Sequence, residues 1–134
     1  MDQSPIAFRL SPKSGVSASQ QLVQQVRQAL RLGILRPGDQ LPTVKQAVAS
    51  LAINPNTVLK AYKELEHEGL ILGRPGQGTF VLRFIGGPPP EAISTLQRKL
   101  DGWVEEAFAA GLDDDSIEAL FATALRSTQA RGVA

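Results

Sequence analysis

Two helix starts placed close together constrain this chain most. Thr43-Val44-Lys45-Gln46 has capping-box spacing, a hydroxyl three residues ahead of a glutamine, and Pro42 before it helps fix where the helix begins. Asn54-Pro55 marks the next start. Asparagine is a favoured N-cap, and proline at the first helical position gives up only an N–H that would be orphaned anyway. The first helix is therefore short, ending near Ala52-Ile53, with Val44, Ala47, Val48 and Leu51 as its apolar stripe. The second carries Val58, Ala61, Tyr62 and Leu65 at i, i+3, i+4, i+7 and stops at Gly69. A short helix, a tight connection and a second helix with polar residues at its start make a helix-turn-helix.

The flanks extend this unit. Ile6, Phe8 and Leu10 alternate as on a short strand, and SPKSG at 11–15 is a turn cluster. Ser17 and Gln20 have capping-box spacing; Leu22, Val23, Val26, Ala29 and Leu30 continue a helix that Gly33 closes. Arg36-Pro37-Gly38-Asp39 is a turn. Beyond Gly69, Leu70-Ile71-Leu72 and 79–84 read as strands around a tight turn at Arg74-Pro75-Gly76-Gln77-Gly78. A lone hairpin is marginal, so it must pack on the helices.

Gly86-Gly87-Pro88-Pro89-Pro90 stiffens the chain and marks a boundary. Past it, Ile93, Leu96, Leu100, Trp103, Ala107 and Phe108 trace one helical stripe, closed by Gly111. A last helix, capped at Asp113 or Asp114, carries Ile117, Leu120, Phe121, Ala124 and Leu125, and TQARGVA at 128–134 reads as a frayed end. Two helices cover few faces, so these stripes point to an interface with a second subunit. The expected fold class is mainly α with a small β-hairpin. A winged helix-turn-helix domain over 1–85 is followed by a Gly/Pro linker over 86–90 and a two-helix dimerisation segment over 91–134.

Net charge is +1, but unevenly spread: ten Lys and Arg face five Asp and Glu over 1–85, while 86–134 carry four against eight. A basic first part suits a polyanion. Cysteine is absent and histidine occurs once, at His67, which excludes disulfides, thiolate metal sites and multi-histidine centres. No apolar run approaches a membrane span, and MDQSPIAFRL has no secretory pattern, so a cytoplasmic protein is expected.

The outward face of helix 54–68 carries Asn56, Thr57, Lys60, Lys63, Glu64 and His67. Its first half offers amides, a hydroxyl and ammonium groups; its end brings Glu64, Glu66 and Glu68, so phosphate should meet the N-terminal end. Asparagine can donate and accept in one plane, as an adenine edge requires in the major groove. Lys45 suits backbone phosphate, and the small RPGQG tip suits close approach to a sugar-phosphate wall.

The segment GILRPGDQLPTVKQAVASLAINPNTVLKAYKELEHEGLILGRPGQGTFV resembles the winged-helix domain of GntR-family transcription regulators. The likeness covers about residues 17–83, and Asn-Pro-Asn-Thr-Val with a short helical tail is most similar to the YtrA-type subfamily, which lacks a large effector domain. The resemblance implies DNA contacts from Thr43, Lys45, Asn54, Asn56, Thr57, Lys60, Arg74, Gly76, Gln77 and Gly78, with helix 54–68 in the major groove and wing 74–79 on backbone or minor groove. The chain departs from the family at five places. Thr43 replaces the usual serine and caps equally well. Lys45 stands for a usual arginine and loses its bidentate fork, favouring a phosphate role. Pro55 stands where many relatives have arginine, and Gln77 where lysine or arginine is common. Ala47-Val48 replace the usual Leu-Ala, a packing exchange.

The resemblance further implies a homodimeric repressor on an inverted repeat of double-stranded DNA. The dimer would form through Leu96, Leu100, Trp103, Ala107, Phe108, Ile117, Leu120, Phe121 and Leu125, and control would extend to the protein's own operon and an adjacent ABC transporter. No cofactor is implied. Nothing indicates a small-molecule effector; a pocket for one would lie at the dimer interface or between the two parts.

Two other classes compete. An enzyme reading would use Asp113-Asp114-Asp115 as a metal cluster and RPGQGT as a phosphate loop. The acids suit a helix start, however, and the loop lacks the Lys-Ser/Thr of a P-loop. The alternative to specific DNA binding is a winged helix used for protein contact, which a salt series distinguishes.

Overall fold

The computed structural model describes residues 4–83 and 87–132. Five helices and one hairpin follow in order: α1 (Ala18–Arg31), α2 (Val44–Leu51), α3 (Pro55–His67), β1 (Ile71–Arg74), β2 (Gly78–Val81), α4 (Pro90–Ala109) and α5 (Asp114–Ala130). They divide into two compact units, Met1–Pro88 and Pro89–Ala134.

Local chemistry sets the helix ends of the first unit. The Ser17 side chain accepts from the Gln20 N–H at the start of α1. At α2 the capping box is complete: Thr43 accepts from the Gln46 N–H, and the Gln46 side chain accepts from the Thr43 N–H. Asn54 caps α3 by accepting from the Asn56 N–H. The turn between α2 and α3 is closed by Ala52 in the left-handed region at φ 54°, a conformation an L-residue adopts only under tertiary constraint.

Helix α3 is the hub, packing against α1, α2 and β1. Leu22, Val26 and Leu30 of α1, Ala47 of α2, Val58 and Leu65 of α3, and Ile71 and Val81 of the hairpin are all buried in one core. Leu35 and Leu41, from the segment between α1 and α2, complete it.

The expected strand over Ile6–Leu10 is not a strand. The alternation is right in its facing, since Phe8 is buried and Ile6 and Leu10 pack on the core. The backbone, however, is held by side chains: the amides of Gln25 and Gln21, one turn apart on α1, pair with the N–H and C=O of Arg9 and Ser11. The Phe8 ring meets Tyr62 at 6.3 Å, tilted by 53°.

The hairpin is antiparallel, pairing Ile71 with Val81 and Arg74 with Gly78. The second strand ends at Val81, short of the expected 84. A third segment joins its free edge: Gln40 bridges to Phe80, and Gly38, Asp39 and Leu41 exchange backbone hydrogen bonds with Val81 and Thr79. Phe84 and Gly86, in the expected second strand and linker, lie outside the described residues, as do Val133 and Ala134 of the expected tail.

In the second unit α4 starts at Pro90 itself, with proline at the first helical position. The Asp113 side chain caps α5 by accepting from the Ser116 N–H, which holds its carboxyl below the ordinary aspartate value. Helix α5 runs to Ala130, so Thr128–Ala130, expected to fray, are helical. Among the described residues, Ala107 of α4 and Ile117 of α5 are the buried side chains of this unit.

Candidate nucleic-acid interface

The start of α2 and the wing share one cleft of about 620 Å³, lined by Thr43, Val44 and residues 73–79. It thus brings together Thr43, Arg74, Gly76, Gln77 and Gly78 from the sequence reading. Lys45, the second residue of α2, is exposed beside the Thr43 cap. Arg74 lies over the Phe80 ring at 5.0 Å, a cation–π contact that steadies the guanidinium at the wing.

The remaining predicted residues lie on α3. Asn56 and Lys60 are exposed and Thr57 is half-buried. Asn54 is exposed too, but its amide oxygen is committed to the helix cap at 2.8 Å, leaving only its NH2 group to donate outward. The Asn56 side chain makes no hydrogen bond among the described residues, so both halves of its amide are available. Hydrogen bonds also tie α3 to α2 and to the hairpin. The Tyr62 hydroxyl donates to the Pro42 carbonyl at the start of α2, and Glu66 accepts from the Gly73 N–H of β1 at 2.9 Å.

Electrostatics distinguish the cations around α3 from its acids. Among the described residues no ion pair neutralises Lys45, Lys60, Lys63 or Arg74. The carboxylates of α3 are engaged within the protein. Glu64 accepts from Gln20 at 2.8 Å and pairs with Arg27 at 3.6 Å, and Glu68 takes a two-pronged contact from Arg27. The Glu68 hydrogen bond raises the already high Arg27 pKa further, against a smaller opposing effect of burial. With its acids engaged within the protein, the outward face of α3 leaves its lysines uncompensated among the described residues, which suits an anionic partner.

Three further contributors carry no sequence signal of their own. Gln40 reaches across the wing and donates to the Gln77 carbonyl at 3.3 Å. Arg27 supplies the counter-charge for α3. Tyr62 looked like a core residue alone, and its hydroxyl sets α2 against α3. No local pattern marks any of them, because each acts on a partner far away in sequence.

The expected interface residues of the second unit fall into two groups. Leu96, Leu100, Phe108, Leu120, Phe121 and Leu125 are exposed, from 39% at Leu100 to 59% at Leu96. Trp103 is half-buried, while Ala107 and Ile117 are already buried within the chain. No helix among the described residues is long and apolar enough to cross a membrane.

Residues 18–81 match the family described as bacterial regulatory proteins, gntR family. The chain is 42% identical over 74 residues to the HTH-type transcriptional repressor YtrA of Bacillus subtilis, covering 55% of this chain and 57% of that protein. It is 41% identical over 95 residues to the HTH-type transcriptional regulator Rv1152 of Mycobacterium tuberculosis, covering 71% of this chain and 77% of the relative. Among solved structures, a transcriptional antiterminator from Listeria monocytogenes superposes with a TM-score of 0.58 at 26% identity, over 90% of each chain. YtrA of Sulfolobus acidocaldarius shares the fold, with a TM-score of 0.51 at 23% identity over 91% of this chain and 99% of that one.

Proposed function

The chain belongs to the GntR family of bacterial regulatory proteins, and from that premise we propose that it is a homodimeric, sequence-specific repressor acting in the cytoplasm on an inverted-repeat operator. One observation carries the reading. The α2 start, the outward face of α3 and the wing present Lys45, Lys60, Lys63 and Arg74, which are unpaired among the described residues, while the acids of α3 are engaged within the protein. In this reading α3 enters the major groove, Asn56 and Thr57 address base edges, Lys45 and Lys60 hold phosphates, and Arg74, Gly76, Gln77 and Gly78 approach the backbone or minor groove. Thr43 and Asn54 serve mainly by setting where their helices begin.

Dimerisation through α4 and α5 is supported by what those helices leave uncovered. Six large apolar side chains stand exposed along them, more than an isolated surface leaves to water without reason. Ala107 and Ile117 would then support the interface from beneath. The similarity to YtrA of Bacillus subtilis, itself named a repressor, favours repression over activation. Likeness to YtrA-type members extends the proposal to control of the protein's own operon and an adjacent ABC transporter.

The test is footprinting of the full chain on DNA upstream of its own gene. Two protected half-sites related by a two-fold axis are expected. Protection without symmetry would remove the dimer, and no protection at any concentration short of random-DNA binding would favour a winged helix used for protein contact.

A further inference from the structure

Leu59 is the one exposed large apolar side chain on α3, and half of it faces solvent. It lies one turn from Asn56 and one turn from Lys63, on the exposed side of the helix that carries Lys60. Single exposed leucines are common on protein surfaces, so exposure alone decides nothing. Position does. If α3 enters a major groove with Asn56 and Lys60 leading, the Leu59 side chain goes in with them.

The floor of that groove presents hydrogen-bond donors and acceptors and one kind of apolar group, the 5-methyl of thymine. Against any other base edge, Leu59 would displace water from a polar group and offer nothing in return. Against thymine it removes apolar surface from water on both sides. We propose that Leu59 is a specificity-determining residue that reads the 5-methyl group of a thymine in each operator half-site. This rests on the DNA-binding role proposed above and adds to it the identity of one base and the residue that selects it.

The test begins with selection of duplexes from a random pool by the full chain. Each thymine of the selected sequence is then replaced by deoxyuridine, which removes the methyl and nothing else. At one thymine per half-site, wild-type binding should weaken about fourfold, the factor for burying one methyl-sized group. Leu59→Ala should bind the thymine duplex about as weakly as wild type binds the uridine one, and should ignore the exchange. Leu59→Met, which keeps an apolar reach, should retain part of the methyl response. Thermal melting of both variants checks that they remain folded, as the half-exposed site requires.

Two results would overturn the proposal: no thymine at which the exchange matters, or an equal loss in wild type and Leu59→Ala, which would assign the methyl to another side chain such as Thr57. A pool that yields no preferred sequence would instead overturn the DNA-reading role itself, and this inference with it.

Discussion

The Tyr62 hydroxyl, from the core face of α3, donates a hydrogen bond to the carbonyl of Pro42, the residue just ahead of the α2 cap. Tyr62 is 5% exposed, so this bond forms at the edge of the core and joins the two helices of the helix-turn-helix. Replacing it with phenylalanine keeps the ring and leaves the carbonyl without its partner. Tyr62→Phe should lower stability by about 1–3 kcal/mol in denaturant titration. It should also weaken DNA binding beyond what the fraction unfolded explains, because α2 and α3 lose their common reference.

The same burial pushes the Tyr62 phenol well above its ordinary value near 10. A raised folded value means that this contribution to stability is fully present below about pH 10 and is lost as pH rises beyond it. Tyr62 is the only tyrosine in the chain, so the ultraviolet absorbance of tyrosinate reports it alone. Its ionisation should coincide with alkaline unfolding; a titration near pH 10 in a still-folded protein would contradict the buried hydroxyl.

Much of this arrangement is legible in the sequence, because local chemistry specifies it. Ser17, Thr43, Asn54 and Asp113 all cap the helices their spacing predicts. What escapes is set by distant partners. Ile6, Phe8 and Leu10 face as a strand would, but Gln21 and Gln25 take the place of the neighbouring strand. The segment around Gln40 is too short and turn-rich to read as the third strand it approximates. Ala52 adopts a left-handed turn where no glycine gives warning. In α4 and α5 the stripes are visible as periodicity, but not that Ala107 and Ile117 are consumed within the chain while Leu96 and Leu125 stay exposed.

The wing depends on Gly78 more than on Gly76. Both have positive φ, 127° and 74°, but a Cβ at Gly76 meets nothing, whereas one at Gly78 would sit 2.4 Å from Gln40 Nε2. Gly76→Ala should cost about 1 kcal/mol from backbone strain alone. Gly78→Ala must also expel Gln40 from the Gln77 carbonyl and should cost more, with a larger loss of DNA affinity. Adding Gln40→Ala should relieve the clash and leave the strain, so the double variant should be no less stable than Gly78→Ala.

Asn56 and Lys45 should fail in different ways. Asn56→Ala should erode the preference for operator over random DNA, with little change in the random-DNA affinity. Lys45→Ala should weaken both and reduce the salt slope by about one unit. Equal losses for Asn56→Ala on both DNAs, or an unchanged slope for Lys45→Ala, would contradict these assignments.

Leu120 and Phe121 project from α5 into solvent at 47% exposure each. Changing both to glutamate leaves the buried Ile117 in place and should convert a dimer to a monomer in sedimentation velocity while the helical content persists. Operator affinity should fall steeply, since each half-site must then be bound alone. A dimer that survives the double change would place the interface elsewhere.

In the proposed role, the α2 start, α3 and the wing form one sequence-reading surface. Fluorescence anisotropy of the full chain across a salt series, on DNA upstream of its gene and on a random duplex, tests it most directly. Tight, steeply salt-dependent binding that prefers the upstream duplex is expected. Weak binding, equal on both duplexes and indifferent to salt, would contradict it.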